Sequence, residues 1–136
     1  MATSDIKVII QSDIDSVWEN VLAVECYHTW RKDVDRIEVI DEKQFIEYTK
    51  NGYFTTFNTT VVEPHKRWEL DIENSHIKGH WTFIFTSKDS ETEINFTACV
   101  TAKKLFLRPI DKSVFEQTYL KKEQTQFVSD LNQHLT

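Results

Sequence analysis

Glycine and proline are scarce in this chain, two of each in 136 residues. With so few residues that break regular structure or favour left-handed backbone, long helices and strands are expected rather than loops. Cysteine is scarce too. Cys26 and Cys99 stand far apart with no Cys-x-x-Cys spacing, which argues against a disulfide framework or a cysteine-built metal site. No apolar run reaches the ~20 residues that cross a bilayer. The opening MATSDIKVIIQSD is broken by charge before a signal-type apolar stretch can form. The expected setting is therefore the cytoplasm, with no membrane insertion and both cysteines as reduced, buried thiols. There the Asn-x-Thr sequons at Asn58 and Asn95 carry no glycan. Basic residues are outnumbered, 16 against 22 acidic, for a net charge of −6. They fall in scattered pairs (Lys103-Lys104, Lys121-Lys122) rather than a stripe, so no nucleic-acid partner is expected.

Large rings are what the chain has in quantity: nine Phe, four Trp and four Tyr. No linker, repeat or low-complexity segment interrupts it, and one domain over 1–136 is expected. A chain this long hides roughly 65–70% of its unfolded surface on folding. Residues 6–11 (IKVIIQ) read as a strand. Ser12 or Asp13 offers an N-cap, and Ile14, Val17, Trp18, Val21 and Leu22 then fall on one face of a short amphipathic helix. The segment ECYHTWRKD reads as an irregular continuation or second short helix.

From about residue 35 to 104 the period becomes two. Strands are predicted over 36–40, 44–49, 53–62, 67–72, 80–86 and 92–102, joined by turns short enough for an antiparallel meander. Trp68, Leu70 and Ile72 alternate against Glu69, Asp71 and Glu73; Trp81, Phe83 and Phe85 share a face, as do Ile94, Phe96, Ala98 and Val100. In 53–62 the inward set is read as Tyr53, Phe57 and Val61. After Pro109, Ser113 with Glu116 forms an S-x-x-E capping box. Leu120, Phe127, Val128, Leu131 and Leu135 then make one helical stripe that also contains Gln117 and Gln124, with Phe115 and Tyr119 on its flank. This is an α+β plan: a seven-stranded antiparallel sheet, two short helices between its first two strands, and a long C-terminal helix to cover its apolar face. A helix ~10 Å wide cannot fill a broad concave sheet, so a gap between the two is expected.

The stretch IKVIIQSDIDSVWENVL resembles the opening of the START-like, or helix-grip, superfamily (SRPBCC), which includes polyketide cyclase/dehydrase and lipid-transport proteins and the birch pollen allergens. YHTWRKDVDRIEVI is similar to its next segment, NGYFTTFNTT and KRWEL to its middle strands, and YLKKEQTQFVSDLNQHL to its gripping helix. The resemblance spans essentially the whole chain and rests on apolar and aromatic positions, which specify fold more than chemistry. It implies a curved sheet around the helix and a cavity that takes a hydrophobic small molecule such as a lipid, polyketide or isoprenoid. Some members of the family are cyclases or hydrolases, and others are adaptor or co-chaperone domains.

Candidate sites follow from the residues. His76 and His80 have the i, i+4 spacing of a helical metal pair, but ligands so spaced converge only on a helix. Here Gly79 and the alternation of Trp81, Phe83 and Phe85 put His80 at a strand start and His76 in the preceding turn, both facing solvent, so no metal site is expected. Glu69, Asp71 and Glu73 share a strand face, and that face reads as the solvent side. Cys26 has no nucleophile signature and reads as structural. Gln117 and Gln124 would cost about 1–3 kcal/mol each if buried unpaired; they bond either a ligand or the sheet backbone. The expected pocket lining is Trp30, Phe57, Trp68, Leu70, Trp81, Phe83, Phe85, Phe96, Ala98, Gln117, Leu120, Gln124 and Phe127, with plain core packing as the competing role for each ring. The leading reading is non-covalent binding of a hydrophobic small molecule, with no cofactor and no catalytic residue assigned. The alternatives are a cyclase, dehydratase or hydrolase, which requires an inward acid or histidine of strongly shifted pKa, and a protein-interaction module. The sequence does not set the oligomeric state.

Overall fold

The computed structural model describes residues 1–103 and 109–136. β1 (Ala2–Ile10) is followed by α1 (Ile14–Leu22) and a 3-10 helix (Val24–Thr29). Then come β2 (Arg36–Val39), β3 (Gln44–Tyr48), β4 (Phe54–Glu63), β5 (Arg67–Glu73), β6 (Ile77–Lys88), β7 (Glu91–Ala102) and α2 (Pro109–Leu135). The seven strands form one antiparallel sheet in the order β1-β7-β6-β5-β4-β3-β2. β2 to β7 are a meander, and β1 pairs with the last strand. Among the described residues no helix is long and apolar enough to cross a membrane.

Local chemistry sets these elements. The Asp13 Oδ1 accepts from the Ser16 N–H at 2.9 Å and so caps α1. The helix buries Val17 and Val21 against the sheet. In the 3-10 helix the inward residues are Val24 and Tyr27, whose hydroxyl donates to the Val21 carbonyl. Cys26 lies on the other side of that turn and is exposed, contrary to the buried thiol expected; Cys99 is half-buried.

Several boundaries differ from the sequence reading. β1 starts at Ala2 rather than residue 6, because the twelve residues of β7 extend the ladder to the pair of Ala2 with Val100. β6 starts at Ile77 rather than residue 80. The Asn74 side chain accepts from the N–H groups of His76 and Ile77 at 2.8 and 2.9 Å, confining the turn to 74–76. In β4 a bulge between Thr59 and Val61 shifts the register. Phe57 therefore faces inward opposite Ile72, but Val61 sits opposite Glu69 on the outer face, where an inward Val61 was expected. α2 is already helical at Pro109, so Ser113 does not cap its entry. Glu116 instead accepts from the Ala102 N–H at 2.7 Å and lies 3.3 Å from the Met1 ammonium.

α2 runs along β1 and β7, at one side of the sheet. The Gln124 amide nitrogen donates to the Ser4 and Phe96 carbonyls, both at 3.1 Å, which satisfies a buried amide and pins the helix. Asp130, also buried, accepts from the Lys32 N–H at 3.0 Å and ties the loop after the 3-10 helix to α2.

Gly79 lies close against β7. A Cβ there would stand 2.3 Å from the Cys99 carbonyl oxygen and 2.8 Å from Val100 Cγ1. The Gly79→Ala variant is expected to lose about 1–3 kcal/mol of stability, read as a lower urea midpoint with unchanged slope.

Candidate functional site

The inward rings of β5, β6 and β7 meet Phe127 of α2 in continuous contact. Phe83 stacks on Phe96 with centroids 4.2 Å apart, Trp81 meets Phe96 edge-on at 5.1 Å, and Phe127 lies 5.4 Å from Phe83. Such pairs add about 0.5–1.5 kcal/mol beyond their buried area. Trp68 stacks on Phe83 and donates its indole N–H to Thr59 Oγ1 at 3.2 Å, while Phe85 abuts Trp18. Leu70, Ala98 and Leu120 are buried in the same cluster. Trp30 stacks on His134 near the C-terminal end of α2, and Gln117 is exposed. Of the expected lining set, Phe57 and Trp81 border the gap that remains.

The two histidines separate as their strand geometry requires. His76 is exposed beside Tyr53, with Nδ1 2.7 Å from the Tyr53 hydroxyl. His80 stands on the outer face of β6, its Nδ1 2.7 Å from Asp71 Oδ1 and its Nε2 2.8 Å from Glu69 Oε1. Partial burial opposes its charge, but the hydrogen bonds of Asp71 and Glu69 prevail and raise its pKa. Among the described residues no group of three metal-ligating side chains comes together. A larger hollow of about 560 Å³ lies along β3, β4, β5 and the start of β6, bordered by Ile46, Asn58, Asp71 and Lys78 and also by Phe45, Phe57 and Ile72.

The gap between sheet and helix has a volume of about 140 Å³. It lies where α2 leaves the sheet, over β3 and β4. Glu47, Thr55 and Phe57 come from these strands, Tyr53 from the turn between them, Asp33 from the loop before β2, and Tyr119, Lys122 and Glu123 from α2. Its walls are mixed rather than apolar, and sequence reasoning missed most of them. Two readable signals pointed there. Glu47 is in phase with inward Phe45, and Glu123 lies on the helical stripe between Leu120 and Phe127.

Arg31 organises the charges. Its side chain is wholly buried and donates from Nη1 to Glu47 Oε2 at 2.6 Å and from Nη2 to Asp33 Oδ2 at 2.9 Å. Its guanidinium also stacks about 5 Å from the Tyr27 and Phe127 rings. Burial raises the pKa of Glu47 although Arg31 opposes the shift. Burial, reinforced by the carboxylates of Asp33 and Glu47, pushes the Glu123 carboxyl up to about 7, and burial likewise raises the Tyr119 hydroxyl. Among the described residues, Trp81 Nε1, Thr49 Oγ1 and Asp33 Oδ1 are buried without a hydrogen-bond partner, and all three side chains border the gap. Removing Arg31 alone strands Glu47. The Arg31→Met variant is expected to lose about 3–5 kcal/mol in urea denaturation, and Arg31→Met with Glu47→Leu to recover a large part of it.

No family model matches the sequence, and no curated protein matches it. Solved structures do match. A START superfamily protein from Mycobacterium smegmatis superposes with a TM-score of 0.74 at 14% identity, over 98% of this chain and 96% of that one. The Zhui aromatase/cyclase from Streptomyces sp. R1128 gives 0.84 at 11% identity, over 98% and 93%. The di-domain aromatase/cyclase BexL of the BE-7585A biosynthetic pathway gives 0.79 at 10% identity, over 98% of this chain and 46% of that one. At such identities the likeness is one of fold. An open seven-stranded antiparallel sheet and a long C-terminal helix, shared with these structures over nearly the whole chain, give this protein the START-like, helix-grip fold.

Proposed function

We propose that the chain binds a small, mainly apolar molecule carrying a few polar groups in the gap between sheet and α2, in the cytoplasm. The observation that supports this most is the set of unpartnered polar atoms around the gap. A buried donor or acceptor left unsatisfied costs about 1–3 kcal/mol, and Trp81 Nε1, Thr49 Oγ1 and Asp33 Oδ1 all stand in that condition. A ligand with hydroxyl or carbonyl groups satisfies them, while the faces of Phe57 and Trp81 take its apolar part. Volume chooses among ligand sizes. Sites for drug-sized ligands run to ~300–1,000 Å³, against about 140 Å³ here. A single ring or short chain fits; a polycyclic polyketide or a full lipid chain requires the aromatic cluster to move. Similar solved structures include aromatase/cyclases, which is in keeping with ring-bearing ligands.

Native mass spectrometry of the purified protein tests the reading. A non-covalent adduct of monocyclic size is expected, and it disappears in Thr55→Phe, which fills the gap. Trp81→Phe keeps a ring but removes the donor, and a loss of up to about tenfold in affinity is expected, as for one hydrogen bond. The idea fails if the wild-type protein carries no adduct and its melting temperature is unmoved by a panel of monocyclic phenols and short amphiphiles.

A second reading, acid–base catalysis, has one observation in its favour. The sequence offered no confident inward acid of shifted pKa, but Glu123 is one. Its titration has a consequence for stability whichever reading holds. Folded, Glu123 keeps its proton up to about pH 7, whereas its ordinary value is 4.5. The folded state therefore binds the extra proton between these values, and stability falls as pH rises through that window. Urea midpoints measured from pH 4.5 to 8 are expected to show this decline in the wild type and a shallower one in Glu123→Gln.

A further inference from the structure

We infer that the ligand of this gap is an amine: a molecule whose ammonium group sits among Asp33, Glu47 and Glu123 while its apolar body lies against Trp81 and Phe57. The inference deepens the binding reading above and rests on it.

Charge count comes first. Three carboxyl groups border the gap, and the fixed positive charge buried beside them is that of Arg31. Arg31 already donates from one terminal nitrogen to Glu47 and from the other to Asp33, with its Nε–H left without a partner. Lys122, the other cation at the gap, is exposed and therefore screened by water. An anionic head group entering here meets carboxylates. A neutral one leaves Glu123 to keep its proton, whereas an ammonium pairs with the carboxylate that Glu123 becomes on losing it.

Hydrogen-bond inventory points the same way. Among the described residues Asp33 Oδ1 is an acceptor without a donor and Thr49 Oγ1 a hydroxyl without a partner, and an ammonium, with three N–H groups, can donate to both. The walls suit a cation too, because Tyr53, Trp81 and Tyr119 present aromatic rings to the gap. Trp81 gives an independent sign of a ligand. Its side chain is 4% exposed, and its ring neighbours Phe57, Phe83, Phe96 and Phe127 offer its unpartnered N–H no acceptor. A hydroxyl, ether or carbonyl oxygen on the molecule, besides the amine, would accept from that N–H.

Three probes of matched shape separate the possibilities: 2-phenylethylamine, 2-phenylethanol and 3-phenylpropionate, titrated into the full chain and followed by tryptophan fluorescence and calorimetry. The amine is expected to bind at least about tenfold more tightly than the alcohol, and the carboxylate most weakly. Asp33→Asn and Glu123→Gln should each erase most of the amine's advantage, read as the ratio of the amine's affinity to the alcohol's in the same variant. The groups facing Glu123 are Asp33 and Arg31 of the loop, Glu47 of β3, Tyr53 of the following turn, and Tyr119 and Lys122 of α2. Of these carboxyls Glu123 is the one that burial pushes up to about 7. The amine's affinity should therefore rise up to about tenfold from pH 6 to 8, with no such change for the alcohol. Equal binding of amine and alcohol, or preference for the carboxylate, overturns the amine inference and leaves the binding reading standing. No binding of any probe at millimolar concentration overturns both.

Discussion

Arg31 has none of its side chain exposed, and its guanidinium touches both halves of the interior. One face lies over the rings of Tyr27 and Phe127, which belong to the aromatic cluster. Its edge meets Glu47 and Asp33, which belong to the gap. A guanidinium can stand at such a boundary because it is planar, stacks on rings, and donates a fork of hydrogen bonds in its own plane. Burying the charge is costly, and the two carboxylates offset that cost by coordinating it. Once Arg31 is in place, filling the space beyond it with hydrocarbon would leave Asp33 Oδ1 with no donor.

The division of the interior follows from where α2 docks. Gln124 fixes the helix to β1 and β7 through two backbone carbonyls, and Asp130 fixes the loop after the 3-10 helix to it. The helix thereby covers the β6–β7 side closely, where Phe83, Phe96 and Phe127 close the space with ring contacts of 4.2–5.8 Å. Over β3 and β4 the helix stands off, and its Tyr119 and Glu123 face the gap rather than apolar wall. A helix pinned at one side of a curved sheet leaves room at the other. The side chains there decide what that room is for.

The strand and helix order was legible because burial repeats with period two on β5, β6 and β7 and with period near 3.6 on α1. What escaped was set by single side-chain bonds. Asn74 shortened a turn, and a bulge turned Val61 outward. An early helix start converted the supposed capping glutamate into an acceptor for Ala102. The gap was harder to read than the fold. Rings at inward positions are visible in the sequence, but whether they meet each other or leave a space depends on where the helix docks. The residues that do border the gap come from a loop, three strands, two turns and the helix, and Arg31 lies in a segment with no period at all. Glu47 and Glu123 were the readable exceptions, since each is an acid in phase with an apolar stripe.

An acid in such a phase is a stronger functional signal here than an aromatic. A phenyl ring facing inward gains free energy by packing against any neighbour, so its position is explained whether or not a ligand exists. A carboxyl facing inward loses hydration and must recover it from a cation, a proton or a guest. Glu47 recovers it from Arg31. Glu123 recovers it from a proton, with its pKa at about 7. That second solution is conditional on pH and on contents, because any cation admitted to the gap competes with the proton for the same carboxyl. The helix could have carried an apolar residue at that position, and its stripe would then have been continuous from Leu120 to Phe127. Closing the interior in that way would have satisfied the packing, but it would have left Asp33 Oδ1 and Trp81 Nε1 with nothing to meet.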